Sequence, residues 1–176
     1  MSRAFVKEQD GDLSPEELPD RPVSPHRNLV TPEGLAQLRD LLARTRKELA
    51  ELRLQDGEGA EASLENRTVQ AQLARDLRYY EARLQSAELQ DPKIVPGNSV
   101  AFGAWLLLVD EDDTEYRYRI VGEDEADPQQ GLISYRSPLA MAAMDAEVGD
   151  LVRWPRPTGT LELELVALSY DGPAKE

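Results

Sequence analysis

The sequence predicts an α+β protein, with an N-terminal antiparallel α-helical coiled-coil hairpin followed by a small antiparallel β domain with one short helix. Three observations support this class. Two leucine-rich segments repeat their apolar residues at alternating spacings of three and four, which is typical of paired helices. A short turn joins these segments, so the helices are expected to run antiparallel. After Pro92, short β-branched and apolar runs alternate with turn residues.

The composition excludes several classes of protein. The chain has 176 residues, a formal net charge of -14 and no cysteine. This charge disfavours broad binding to nucleic acid, which needs clustered Lys and Arg, and suits a basic protein partner instead. No apolar run approaches the roughly 20 residues of a membrane span, and the N-terminus lacks the apolar core of a secretory signal. We therefore expect a cytoplasmic protein without disulfides or thiolate metal sites.

Residues 1–30 precede the hairpin and are rich in Pro, Asp, Glu and Ser, without an apolar period. This composition predicts a mostly disordered arm. The hairpin itself is predicted over residues 31–90. Thr31 is suited to cap its first helix, with Pro32 at the first helical position and Glu33 in the first turn, where a carboxylate suits the helix dipole.

Two seams of equal length define the hairpin. The first contains Leu35, Leu38, Leu42, Thr45, Leu49 and Leu52, and the second contains Gln70, Leu73, Leu77, Tyr80, Leu84 and Ala87. Helices of about 23 to 26 residues extend on the order of 35 to 40 Å at 1.5 Å per residue. The second helix is expected to end before Pro92. Such a pair could also serve only as an oligomerisation scaffold, since most heptad pairs are structural.

The turn between the helices is strongly acidic. The stretch LQDGEGAEASLEN contains Asp56, Glu58, Glu61 and Glu65 without one basic residue. Its glycines and serine already supply what a turn needs, so the surplus negative charge calls for a separate explanation. Glu61 and Glu65 are four residues apart and can face one another across a helical turn, whereas Asp56 and Glu58 lie on the other side of the loop.

A linker at residues 91–94 leads to a β domain predicted over residues 95–171, followed by a tail at residues 172–176. The strand candidates are SVAFGAWLLLV, EYRYRIVG, LISYRS, LVRW and TLELELVALSY. Ser137 and Pro138 are expected to start the short helix PLAMAAM. An acidic turn at Glu123, Asp124, Glu125 and Asp127 is either ordinary solvated surface or part of a surface that meets a partner.

The run YRIVGEDEADPQQGLISYRSPLA resembles the C-terminal signature of the GreA/GreB transcript elongation factors. That pattern is close to I-V-G-x-D/E-E-A-D, then G-x-I-S, then S-P-L-A. The matching residues are Ile120, Val121, Gly122, Glu125, Ala126, Asp127, Gly131, Ile133, Ser134, Ser137, Pro138, Leu139 and Ala140. The T-x-x-G-x-x-x-L helix start of the family is present as Thr31, Gly34 and Leu38, so the resemblance covers about residues 30–170.

This resemblance implies an FKBP-like C-terminal domain that docks at the rim of the RNA polymerase secondary channel while the hairpin reaches the active site. In cleavage-competent members, two tip acids in a D-x-x-E-N arrangement help the polymerase to hold its second Mg²⁺ and to activate a water. That step hydrolyses backtracked RNA, so the nascent RNA is an indirect partner. Carboxylate oxygens are suitable ligands for Mg²⁺. The factor is then an accessory protein without an intrinsic cofactor, and we expect it to be a monomer.

The resemblance also nominates site residues. Glu65 and Glu61 are the expected catalytic acids, with Asp56 and Glu58 as further candidates. Glu61 and Glu65 are also the expected metal ligands, but only in the complex with polymerase. The expected polymerase-binding residues are Glu125, Asp127, Ser137 and Pro138.

The hairpin turn departs from the family pattern. Alignment on Glu65 and Asn66 places Ala62 at the position of the first acid, and the other registers pair Glu65 with Thr68 or Ser63 with Asn66. No register restores both acids. Two functions therefore stay open, namely stimulation of transcript cleavage and a channel-binding modulator or inhibitor that does not cleave. A peptide-binding or prolyl-isomerase module is an alternative of another class, although fold alone does not give function.

Overall fold

A computed structural model describes residues 18–55, 64–92 and 97–175. Its elements are β1 (Asn28–Val30), α1 (Pro32–Gln55), α2 (Leu64–Gln85), β2 (Ala87–Leu89), β3 (Trp105–Val109), β4 (Glu115–Val121), a 3-10 helix (Pro128–Gln130), β5 (Leu132–Ser134), α3 (Pro138–Ala143), β6 (Leu151–Arg156) and β7 (Gly159–Ser169). Two long helices followed by a β domain with one short helix confirm the predicted class. Within these ranges, no helix combines the length and apolarity of a membrane span.

The described residues divide into two compact units. One comprises residues 18–23, 41–55 and 64–81, and the other comprises residues 24–40, 82–92 and 97–175. The base of the predicted hairpin therefore belongs to the same unit as the sheet. The sequence places this boundary at residues 91–94 instead, because helical periodicity continues across the base without a break.

The predicted α1 seam is less exposed than the rest of its helix: Leu38, Thr45 and Leu49 are buried, and the other three seam leucines are half-buried. The α2 seam is half-buried from Gln70 to Leu84, but residues outside it, such as Ala71 and Tyr79, are half-buried as well. An ion pair between Arg46 of α1 and Glu81 of α2, at 3.0 Å, joins the two helices. The 3-4 periodicity thus identifies the packed face of α1, whereas burial on α2 extends beyond its predicted seam.

The second helix ends at Gln85, earlier than the position before Pro92 that the sequence predicts. Ala87 consequently leaves the seam and lies in β2, which pairs in parallel with β1. The strand pair also corrects the prediction of a disordered arm over residues 1–30, because residues 28–30 form β1. Their backbone groups find partners in a segment far away in the sequence, a pairing that local composition does not reveal.

The main sheet has the strand order β5-β4-β3-β7-β6. Three of its strand pairs are antiparallel, as predicted, but β4 and β5 are parallel, so the sheet is mixed. The 3-10 helix Pro128–Gln130 ends at Gly131, whose φ of 74° is left-handed, and this turn returns the chain in the direction of β4. Pro155 is tolerated in β6 because this strand is at the sheet edge.

The core lies on one face of this sheet. Helix α3 contributes Leu139, Ala140 and Ala143, which pack with buried strand residues such as Leu106 and Leu163. On the other face, Leu107 and Ala167 pack with Ala174, which is 4% exposed. Residues 172–175 of the predicted tail are therefore part of the packed domain rather than an appendage.

Candidate functional site

Glu65 lies in the first turn of α2, at the end of the helix pair where α1 stops and α2 begins. Its side chain is exposed, and a carboxylate suits this turn because of the helix dipole. Two neighbouring leucines are also exposed, Leu54 by 81% and Leu64 by 72%. We call this end the hairpin end. It presents a carboxylate beside apolar side chains that a partner surface could cover.

The other predicted tip acids, Asp56, Glu58 and Glu61, lie outside the described residues. Within residues 18–55, 64–92 and 97–175, no group of three or more His, Asp or Glu side chains is placed to hold a metal ion. Carboxylate oxygens are chemically suited to Mg²⁺, which usually takes one or two carboxylates and keeps several waters. Glu65 would therefore supply only part of the ligand set of such a cation, and the rest would come from water, from a partner or from other carboxylates.

Glu125 has a different environment, because it is only 9% exposed. Its Oε1 accepts a hydrogen bond from the Thr31 backbone N–H at 2.9 Å, and its Oε2 accepts one from the Thr31 hydroxyl at 2.5 Å. The Thr31 hydroxyl oxygen in turn accepts from the Gly34 N–H at 3.0 Å. Thr31 thus caps α1 as predicted, and the Glu125 carboxylate fixes Thr31 in place by accepting hydrogen bonds from it. Both carboxylate oxygens of Glu125 therefore accept hydrogen bonds from the residue that caps α1.

Two glycines make room for this arrangement. A Cβ on Gly34 would lie 1.9 Å from Cδ of Glu125, and a Cβ on Gly122 would lie 2.4 Å from the carbonyl oxygen of Leu29. Close approach therefore excludes a side chain at both positions. The TPEG and IVGEDEAD motifs are two parts of one contact, which we call the helix-start lock and define as Thr31, Gly34, Gly122 and Glu125.

Arg83, near the end of α2, is 1% exposed and binds the acids next to Glu125. Its Nε donates to Asp124 at 2.5 Å, its Nη2 donates to the Asn28 side chain at 2.6 Å, and Nη2 lies 3.7 Å from Glu123 Oε2. Asn28 completes this group by donating its Nδ2 to the Arg83 carbonyl oxygen at 2.7 Å. We call these four residues the Arg83 cluster. A buried guanidinium needs such partners because desolvation of a lone charge is costly.

Sequence reasoning did not assign the Arg83 cluster. Charged residues on a helix usually face solvent, and the partners of Arg83 lie 41 and 55 residues away in the chain. The acidic run beside Glu125 was the available signal, because several carboxylates close together need a cation or water. Of these acids, Glu123 and Asp124 form ion pairs with Arg83, and Glu125 accepts hydrogen bonds from Thr31.

The remaining predicted polymerase-binding residues have local roles as caps. Asp127 caps the 3-10 helix by accepting from the Gln129 N–H at 3.1 Å. Ser137 caps α3 by accepting from the Ala140 N–H at 3.2 Å, and the exposed Pro138 is the first residue of that helix. A contact of these residues with polymerase stays a prediction, and the burial of Glu125 gives that residue an internal role.

Glu33, in the first turn of α1, pairs with Arg119 at 3.1 Å. Burial opposes ionisation of this carboxyl, but hydrogen bonds from its own backbone N–H and from Arg119 outweigh burial and lower the pKa of Glu33. The guanidinium carbon of Arg119 lies 5.3 Å from the centroid of the Trp105 ring. This pair adds an electrostatic contact to the start of α1.

Comparison with known proteins agrees with the signature motifs. Residues 95–170 match the family described as transcription elongation factor, GreA/GreB, C-term. The GreA of Desulfovibrio desulfuricans is 31% identical over 155 residues, which cover 81% of this chain and 94% of that protein. The chain belongs to the GreA/GreB family.

Other GreA/GreB relatives match over a shorter segment. The GreA of Alkalilimnicola ehrlichii is 48% identical over 92 residues, which span 51% of this chain and 58% of that protein. Among solved structures, the GreA factor homolog 1 (Gfh1) of Thermus thermophilus is 22% identical with a TM-score of 0.38, covering 82% of this chain and 99% of that one.

Proposed function

We propose that this GreA/GreB family member is an accessory factor of RNA polymerase that enters the secondary channel with its hairpin end and stimulates cleavage of backtracked RNA. The observation that carries the proposal is the contrast in exposure between Glu65 and Glu125. The carboxylate of Glu65 at the hairpin end is exposed, whereas the carboxylate of Glu125 is bound to Thr31 inside the chain. Of these two glutamates, Glu65 can contact another molecule without a change in the fold.

The geometry of the helices supports this function. Helix α1 has 24 residues and α2 has 22, so each extends over roughly 33 to 36 Å at 1.5 Å per residue. A helix pair of this length can carry a carboxylate into a channel too narrow for a whole domain. Exposed Leu54 and Leu64 provide apolar contact area at the same end.

The chemistry is divided between the factor and the polymerase. The Mg²⁺ of the polymerase would supply Lewis-acid catalysis and an activated water at the scissile phosphate. The role of this chain is to deliver the Glu65 carboxylate, together with Glu61, as an oxygen donor near that ion. The chain is therefore not an enzyme by itself in this proposal.

A backtracked elongation complex with end-labelled RNA tests the proposal. We expect the wild-type protein to bind core polymerase and to shorten the RNA, and the double variant E61A/E65A to lose at least about tenfold in cleavage rate, as for removal of groups that position a metal. The double variant E48A/E51A is a matched control, because it removes the same charge from exposed positions about one and two helical turns before the end of α1.

The outcome separates two functions. Full cleavage by E61A/E65A would reject the catalytic role of these acids. A wild-type protein that binds polymerase and slows elongation without cleavage would establish the modulator instead. The modulator is favoured because no register restores both tip acids, with Ala62 at the first position when the alignment is made on Glu65 and Asn66.

A further inference from the structure

Residues 18–23, which we call the strap, contact α2 through two ion pairs of opposite polarity. Asp20 pairs with Arg78 at 2.6 Å, and Arg21 pairs with Asp76 at 3.2 Å. Asp20 and Arg21, which are adjacent and oppositely charged, thus pair with Arg78 and Asp76, which are two positions apart on α2. A displaced register would bring like charges together, so the pattern specifies one docked position.

Arg21 is the best-anchored residue of the strap. Its guanidinium carbon lies 3.9 Å from the centroid of the Tyr79 ring and 5.6 Å from that of Tyr80. The side chains of Arg21 and Asp76 are 36% and 30% exposed, so this ion pair is partly shielded from water. A guanidinium over an aromatic face gains a cation–π attraction in addition to its ion pair.

Leu18 is one of the residues that line a groove of about 250 Å³, together with residues of α1 and α2. Ala71 and Ala74 of α2, three positions apart, also line this groove. Three arginines contribute to the same lining, Arg53 from the last turn of α1 and Arg67 and Arg78 from α2. The strap therefore lies at the edge of a basic groove in a chain whose net charge is -14.

The sequence of the strap, Leu-Pro-Asp-Arg-Pro-Val, favours docking in an extended form. Pro19 and Pro22 fix their own φ near −65° and disfavour helical conformations for the residues before them. Less conformational entropy is then lost when the segment is held on α2. Its two ion pairs are partly exposed, so each contributes little to stability and the docked segment can be displaced.

We propose that the strap is an autoinhibitory segment that docks on α2 beside the arginine-lined groove and must be released before the hairpin binds RNA polymerase. This inference depends on the proposed function, because polymerase is the partner whose access the strap controls. When the competent form is a minor fraction of the protein, the apparent affinity falls by that fraction. With about nine-tenths of the molecules docked, release of the strap increases the affinity about tenfold.

Substitutions in the strap of the full chain test this proposal. D20A/R21A removes both anchors, and R21D repels Asp76. We expect both variants to bind core polymerase about tenfold more tightly than wild type. R21D/D76R restores the ion pair with reversed polarity and should return the affinity towards the wild-type value. Circular dichroism of each variant checks that the helices are unchanged.

A reversible crosslink provides the opposite test. The chain has no cysteine, so L18C/A74C places its only two thiols in the lining of this groove, where a bis-maleimide with an internal disulfide can bridge them. The crosslinked form, with the strap held on α2, should bind polymerase more weakly than wild type, and dithiothreitol should reverse the effect by cleaving the linker. Thiol labelling supplies a readout that needs no activity, because the cysteine of the single variant L18C is half-buried in the free protein and should react faster with a maleimide in the complex.

The possible failures are distinguishable. If wild type and D20A/R21A bind polymerase equally, or D20A/R21A binds more weakly, the strap is a structural or docking element and the autoinhibition is rejected. If neither protein binds polymerase, the proposed function itself fails and the inference falls with it.

Discussion

Glu65 and Glu125 both lie in acid-rich segments of the sequence, yet their surroundings differ. Glu65 is exposed in the first turn of α2. Glu125 is 9% exposed and accepts hydrogen bonds from the backbone and the hydroxyl of Thr31. The difference shows that an acidic segment stabilises the fold when hydrogen-bond donors of the same chain surround its carboxylates. Without such donors, the carboxylates are available to a partner, whatever the charge of the segment.

The difference extends to the residues beside each glutamate. Glu125 is followed by Asp127, a cap, and preceded by Glu123 and Asp124, which meet the buried Arg83. Glu65 instead follows Leu64, which is 72% exposed. Removal of an internal acid or its partner should therefore change stability, whereas removal of Glu65 should chiefly change function.

The largest expected loss of stability follows replacement of Arg83. R83M should leave Asp124 and Glu123 without their cation and lower the free energy of unfolding by about 3 to 5 kcal/mol, as for other broken buried ion pairs. Urea denaturation measures this loss. R153M is the control, since Arg153 and Glu162 form a pair with side chains 76% and 56% exposed, and it should change stability by less than about 1 kcal/mol. Equal effects of the two substitutions would contradict the internal role of Arg83.

The helix-start lock predicts a non-additive pair of substitutions. E125A should lower stability by about 1 to 3 kcal/mol, because the Thr31 donors lose their acceptor. G34A should lower stability by a similar amount, about 1 to 3 kcal/mol, because its Cβ meets the Glu125 carboxylate. The double variant should cost less than the sum, since the methyl group fits once the carboxylate is absent. Strict additivity in urea denaturation would show that Gly34 and Glu125 do not share this space.

Acid should weaken the fold slightly through two carboxylates, Glu33 at the start of α1 and Asp110 in the turn between β3 and β4. The pKa of Glu33 is lowered as described above, and backbone hydrogen bonds, chiefly from Thr114, lower the pKa of Asp110. Because both folded-state pKa values lie below the unfolded ones, their stabilisation is complete above about pH 4 to 5 and is lost as the pH falls through the folded values. Denaturation midpoints between pH 6 and pH 3 should fall less steeply for E33Q/D110N than for wild type. An unchanged slope would show that these groups contribute nothing.

Local periodicity predicted most of the fold. The seams of α1 and α2, the strands after Pro92 and the cap at Ser137 all follow from spacings of a few residues. The pairing of β1 with β2 did not, because it joins Asn28 to Ala87 across the whole hairpin. The strap escaped prediction for the same reason, since Arg21 finds its partners on α2 and its own segment shows no apolar period.

The candidate site was predicted unevenly. The sequence placed Glu65 at the end of the helix pair because the seams and the turn define that end. It could not reveal that Glu125 faces Thr31 from 94 residues away. A signature match marks both residues without distinguishing a contact inside the chain from a contact with a partner.

The most direct test of this account compares E65Q with E125Q, two substitutions that each replace one glutamate by its neutral isostere. Cleavage of backtracked RNA at saturating factor and the urea midpoint are measured for both proteins. We expect E65Q to lose cleavage with only a small decrease in the midpoint, because the interaction of the Glu65 carboxylate with the helix dipole contributes about 0.3 to 1 kcal/mol. We expect E125Q to lower the midpoint further while the folded fraction still cleaves. Loss of stability in E65Q together with full cleavage, or an unchanged midpoint in E125Q, would contradict the assignment of one glutamate to the partner and the other to the fold.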